Sequence, residues 1–137
     1  IMLEKLHNYD LVCSDCIVTN GKLEVINQSF FKLNQSRKGV IKNVIKNSYL
    51  GCCMAFKKEL IKDIVPFPNG IGMHDWWIGV VAELKYSTLF LNEKLMYFRR
   101  HSDTNSVTAS KSPFLIEKKI KWRLYLVYNL FKLTILR

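Results

Sequence analysis

The residues best placed for chemistry lie in "GMHDWWIGVVAELK", where His74 and Asp75 stand directly before Trp76 and Trp77 at the mouth of an apolar helix pattern. An aspartate in the first turn of a helix compensates the positive end of the helix dipole. The same carboxylate, given access to a hydroxyl, can take its proton as a general base. Access is favoured by the glycine-containing loop "NGIG" before it, and by Gly79 and Ala82 at i+4 and i+7, whose small side chains leave room on that face. The two indoles suit flat apolar ligand faces, sugar rings among them, although packing claims at least one of them.

A second group is Arg99, Arg100 and His101, with Asp103 and Asn105 just beyond. Two guanidinium groups and an imidazole leaving a strand together make a plausible anion or metal-phosphate site. A solvated basic loop uses the same residue types. The third candidate is Cys13-Ser-Asp-Cys16, which with Cys52, Cys53 or His74 has the composition of a zinc site. Strand alternation, however, points its two thiols to opposite faces, so buried small hydrophobes are the better reading.

These groups need elements to hold them. "DLVCSDCIVTNGKLEVI" gives two short β-rich runs, the first around 11–18, with Asn20-Gly21 as a hairpin signal. Val40, Val44 and Ile45 are at helical spacing. Phe56, Leu60, Ile61 and Ile64 predict a short amphipathic helix that stops before Pro66 and Pro68. The next helix starts near Asp75 and shares Trp77, Val80, Val81 and Leu84 on one face. "TLFL" and "LMYFRR" read as extended, and residues 114–137 form one long helix pattern. The sum is mixed α/β.

Length and composition set outer bounds. At 137 residues, 49% hydrophobic and 23% charged, the chain is globular rather than disordered. A formal charge of +10 favours polyanionic partners. The lysines are scattered over several segments and no nucleic-acid motif occurs, so nucleic acid is not the favoured partner. No signal-peptide pattern follows Ile1, and adjacent Cys52-Cys53 does not resemble a secreted disulfide framework. A reducing, cytoplasmic setting is therefore expected.

In order, "DLVCSDCIVTNGKLEVINQSFF", "GCCMAFKKELIKDIVPFP", "HDWWIGVVAELK" and "LNEKLMYFRRHSDTN" resemble the C-terminal half of bacterial family-two glycosyltransferases, rhamnosyltransferase-like members above all. "HDWW" and "YFRRH" followed by Asn105 are similar to that family's H-D-W-W and Y-R-x-H-x-x-N patterns. The resemblance covers about 3–107. It implies the acceptor-binding half of a GT-A-type mixed sheet with flanking helices. The activity implied is inverting transfer from a nucleotide-sugar donor to a saccharide or lipid-linked saccharide acceptor, in O-antigen or capsule synthesis. Asp75 matches the general base, with His74, Trp76 and Trp77 on the acceptor side. Arg99, Arg100 and His101 match a loop over the donor diphosphate, His101 within reach of a divalent metal, Mg or Mn. That family holds its metal with an Asp-x-Asp motif, which occurs nowhere in this chain. The isolated chain is therefore expected to be inactive, with an unpaired sheet edge.

The C-terminal segment adds a separate expectation. In "LIEKKIKWRLYLVYNLFKLTILR", Lys118, Lys121, Tyr125, Asn129 and Lys132 form a narrow polar stripe among apolar residues. Such a helix suits an anionic membrane interface, with Trp122 and the tyrosines at headgroup depth. Docking on the rest of a longer protein is the alternative. The expected organisation is thus an acceptor-side part over 1–110 and a basic amphipathic helix over 111–137, peripheral on the inner face of the cytoplasmic membrane.

Overall fold

The run Leu11–Thr19 carries apolar residues on both faces, Leu11, Cys13 and Ile17 on one and Val12, Cys16 and Val18 on the other, a pattern of strands covered on both sides. In the computed structural model, which describes residues 1–100 and 116–135, it is the central strand β1 and is buried along nearly its whole length. A four-stranded mixed sheet forms around it. On one side β4 (Thr88–Arg99) runs parallel to β1. The other side is shared by two antiparallel strands: β3 (Met54–Phe56) opposite Leu11–Cys13, and β2 (Val25–Asn27) opposite Val18–Thr19. Among the described residues β4 pairs with β1 alone and leaves its outer edge open.

The architecture is mixed α/β. Its helices are α1 (Met2–Lys5), α2 (Phe30–Asn34), α3 (Val40–Ile45), α4 (Ile61–Ile64), α5 (His74–Lys85) and α6 (Ile116–Ile135). Three local outcomes differ from the patterns expected. The hairpin after β1 forms, but its loop spans residues 20–24, and Leu23 rather than Asn20 or Gly21 takes the positive φ, 65°. Asn20 closes the loop with its side chain, Oδ1 accepting the amides of Lys22 and Glu24 at 2.9 Å. The helix expected over Phe56–Ile64 is split: Phe56 ends β3, a 3₁₀ turn covers Lys58–Leu60, and α4 is a single turn. The two extended runs after α5 are one strand, because a register shift between Ser14↔Leu91 and Asp15↔Lys94 places Asn92 and Glu93 in a bulge.

Helix α6 is part of the core rather than a separate piece. Leu126 and Leu130, 1% and 7% exposed, pack with Trp76, Trp77, Val80 and Val81 of α5. The division at residue 110 or 111 falls in 101–115, outside the described residues.

One exposed junction is held electrostatically. Asp10, just before β1, accepts from the Ser87 amide at 2.9 Å and the Ser87 hydroxyl at 2.7 Å, and from Lys57 Nζ at 3.0 Å. These bonds tie the starts of β1 and β4 to the end of β3. The Ser87 bonds first, and then Lys57, lower the carboxyl from 3.8 to about 2. A depressed folded-state value contributes stability above the unfolded value, and that contribution is lost as pH falls from about 4 to about 2. Asp10→Ala should cost about 1 kcal/mol at pH 7 after discounting for solvent screening. The gap between variant and parent in urea unfolding should close below about pH 2; a constant gap would assign the effect to something other than the charge.

Candidate functional site around Asp75

Met73 is the extended N-cap residue of α5, so Asp75 falls in the first turn without being the cap itself. Its carboxylate is turned toward the Gly51–Cys53 turn that precedes β3. Oδ2 accepts the Gly51 amide at 3.2 Å, and Oδ1 accepts the Trp76 amide at 2.7 Å and lies 3.4 Å from Asn47 Nδ2. The residue is half-buried. Desolvation raises its pKa above the ordinary 3.8, more than the Trp76, Gly51 and Asn47 bonds and the nearby His74 lower it.

Comparison with the other carboxylates shows what sets it apart. Asp63 is bound by Lys85 Nζ at 2.6 Å and by the Tyr86 hydroxyl. Asp15 is buried and accepts from Ser29 Oγ at 2.5 Å and the Phe31 amide at 2.9 Å, linking β1 to α2. Glu83 accepts from Tyr49, Asn43 and the Gly39 amide, tying α5 to the segment around α3. Of these three only Asp63 is in a salt bridge among the described residues; Asp15 and Glu83, like Asp75, join elements through hydrogen bonds. Asp75 has no salt bridge among the described residues and keeps one long, weak bond.

The structure separates the candidates of the "HDWW" motif. His74 is exposed, its ring edge-on to Phe67 at 4.7 Å. Trp76 and Trp77 are 5% and 2% exposed, and their indole N–H groups are committed to backbone carbonyls, Trp76 to Asn43 at 2.5 Å and Trp77 to Ile64 at 3.1 Å. Both indoles therefore lie in the core rather than on an open face; they fix α5 against α3 and α4. The room expected beside Gly79 is likewise taken. A Cβ there would lie 2.1 Å from the ring of Tyr49, which packs directly on the helix backbone. Small residues admit a neighbouring side chain as readily as a ligand, and here the side chain has entered.

The arginines stand elsewhere. Arg99 is exposed at the end of β4, and the Arg100 amide donates to the Thr19 carbonyl at 2.8 Å. Asp75 accepts from Gly51, in the turn that leads into β3, and β3 pairs with Leu11–Cys13 at the start of β1. Between Cys13 and Thr19 lie six strand steps, roughly 20 Å at about 3.3 Å each. The base candidate and the arginine pair thus occupy opposite ends of the central strand. His101, Asp103 and Asn105 lie outside the described residues.

Among the described residues no group of three His, Cys, Asp or Glu side chains is arranged to hold a metal ion. Cys13, Cys16 and Cys53 are buried in the core, and burial pushes the Cys13 thiol up to about 12. The Cys13 thiol stays protonated, and all three side chains pack as small hydrophobes. Asn47 and Gly51 are the neighbours of Asp75 that sequence reading passes over. Asn47 Oδ1 also accepts the Tyr49 amide at 2.9 Å, so "NSY" could have been read as a side-chain-closed turn, though nothing in it points to Asp75.

No protein-family model matches the chain, no curated protein matches it, and no solved structure matches it.

Proposed function

We propose that the chain is the acceptor-side part of an inverting sugar transferase, with Asp75 as the base that deprotonates the acceptor hydroxyl. The observation that carries this reading is the state of that carboxylate: half-buried, unpaired with any cation among the described residues, raised in pKa by desolvation, and oriented by Gly51 and Asn47. Glu83 shares the half-burial, the raised pKa and the absence of a salt bridge among the described residues, but its three partners all lie within 3.1 Å, whereas Asp75 keeps one bond of 3.4 Å and stands in the first turn of α5 beside exposed His74.

In the proposed reaction an acceptor oxygen attacks the anomeric carbon of a nucleotide-sugar from the side opposite the leaving group. As that C–O bond forms, the hydroxyl proton passes to Asp75, and the bond to the nucleoside diphosphate breaks with its electron pair going to phosphate oxygen. Positioning matters more than basicity here, because the hydroxyl acidifies only as the bond forms. His74 is the exposed neighbour available to touch the acceptor. The acceptor class is a saccharide or lipid-linked saccharide of a surface polysaccharide, O-antigen or capsule. Arg99 and Arg100 stand at the far end of β1 from Asp75, out of reach of a diphosphate leaving in line with that base, and the proposal gives them no role. The setting is cytoplasmic, at the inner face of the membrane.

Two measurements test this. The coding sequence upstream of Ile1 should encode an Asp-x-Asp within an alternating strand–helix pattern. The protein so completed, given Mg or Mn and a panel of nucleotide-sugars, should release nucleoside diphosphate faster when acceptor saccharides are added. No such motif upstream, or no acceptor-dependent release with any donor, overturns the reading.

A further inference from the structure

Helix α6 carries two apolar faces and the fold uses one of them. Leu126, Leu130 and Leu133 face α5. Trp122 lies flat against Gly72, where a Cβ would be 2.4 Å from the indole, and the Tyr125 ring lies against Gly70. Trp122, expected at headgroup depth, instead holds the loop leading into α5. The opposite face is open: Ile120, Leu124, Val127, Phe131 and Ile135 recur every three or four residues with 50–66% exposure, and Tyr128 joins them at 63%.

The charges around this face are basic apart from Glu117 in its first turn. Lys118, Lys121 and Lys132 follow one flank of the stripe, and Glu117 is the helix's single acidic residue. On the other flank Arg123 donates to the Ile45 carbonyl at 3.0 and 2.7 Å, which draws α3 alongside. There Ile41 and Ile45 are 78% and 60% exposed, with exposed Lys42 and Lys46 beside them. The apolar surface thus runs across two helices and is bordered by lysines.

We propose that this outer face of α6, extended by Ile41 and Ile45, docks on an anionic lipid bilayer with the helix lying in the plane of the interface. No helix among the described residues is long and apolar enough to cross a membrane. A long apolar stripe edged with lysines meets the requirements of an interfacial helix: acyl burial along one face, and attraction between lysines and acidic headgroups. The surface is independent of the role assigned to Asp75.

The test is co-sedimentation of the whole chain with phosphatidylcholine vesicles, with and without phosphatidylglycerol. The parent should bind the anionic vesicles at least about tenfold more strongly than the neutral ones, and lose binding as salt rises. Leu124→Glu/Phe131→Glu alters exposed positions, so its circular dichroism should match the parent while vesicle binding falls at least about tenfold. Asp75→Asn should bind like the parent, which separates this inference from the catalytic one. It is overturned if the parent stays in the supernatant, if the double variant binds equally well, or if the parent instead forms a concentration-dependent dimer that the double variant abolishes.

Discussion

Asp75→Asn should cut sugar transfer by about 10²- to 10⁴-fold in kcat while leaving nucleotide-sugar binding close to the parent, the range in which loss of a positioned general base falls. The amide keeps the shape of the carboxylate but has one acceptor where Asp75 uses two: with its oxygen on the Trp76 amide, its NH2 faces the Gly51 amide, so folding should lose about 1 kcal/mol. The substitution also removes a group whose ionised form is disfavoured by burial. A carboxylate with a raised folded-state value stabilises the fold most when protonated, and that advantage is lost as pH rises from 3.8 through the folded value. The variant should therefore lack that component of the pH dependence of stability. Transfer has the opposite requirement, because a base must be ionised. The acid limb of kcat/KM should lie above the usual aspartate range and vanish in Asp75→Asn. Asn47→Ala removes a donor to the ionised form and should move the limb to higher pH, with a smaller loss in kcat. A variant with parental turnover, or an acid limb indifferent to both substitutions, would remove Asp75 from the chemistry.

The pattern of α5 illustrates how far sequence carries the argument. Of the four residues placed on one face by helical spacing, Trp77, Val80 and Val81 are buried, whereas Leu84 is exposed. The start at His74 also follows from the loop before it, because glycines end one element and free the next. What spacing does not encode is which empty-looking position stays empty. Gly79 reads as access for a ligand, yet a tyrosine thirty positions earlier occupies it. Trp76 reads as available, yet its N–H is claimed by a carbonyl in α3. These are non-local contacts, set by how α3 and α5 meet, and one chain's periodicity holds no record of them. The hairpin offers the converse lesson. "NG" marks the turn correctly, but the side chain of Asn20 does the work and a leucine takes the left-handed conformation. Helix α6 is apolar on two faces with basic residues between them, as a helix with a core on one side and an unmet surface on the other would be.

Gly79→Ala should destabilise the fold by about 2–4 kcal/mol although alanine is the better helix former by about 1 kcal/mol. The added methyl would meet three atoms of the Tyr49 ring at 2.1–2.4 Å, well inside contact distance. Tyr49 cannot simply swing aside. Its hydroxyl donates to Glu83 at 2.8 Å, its ring packs on Phe90 with centroids 5.0 Å apart, and its amide is held by Asn47. Moving the ring strips a half-buried carboxylate of a donor, disturbs the packing of α5 on β4, and pulls at the residue that orients Asp75. Against a total stability of about 5–15 kcal/mol, such a loss should lower the thermal midpoint by roughly 6–15 °C. In a Tyr49→Leu background the smaller, more mobile side chain can yield. There Gly79→Ala should cost less than about 1 kcal/mol, a coupling readable as a double-mutant cycle in urea. Gly51→Ala is the matched control: its methyl would lie 3.4 Å from Asp75 Cβ, a tolerable contact, and it keeps the amide that Asp75 accepts. If Gly79→Ala proves as stable as the parent, helix propensity has won. The ring of Tyr49 is then not the wedge that closes this face of α5, and the space beside Asp75 is open after all.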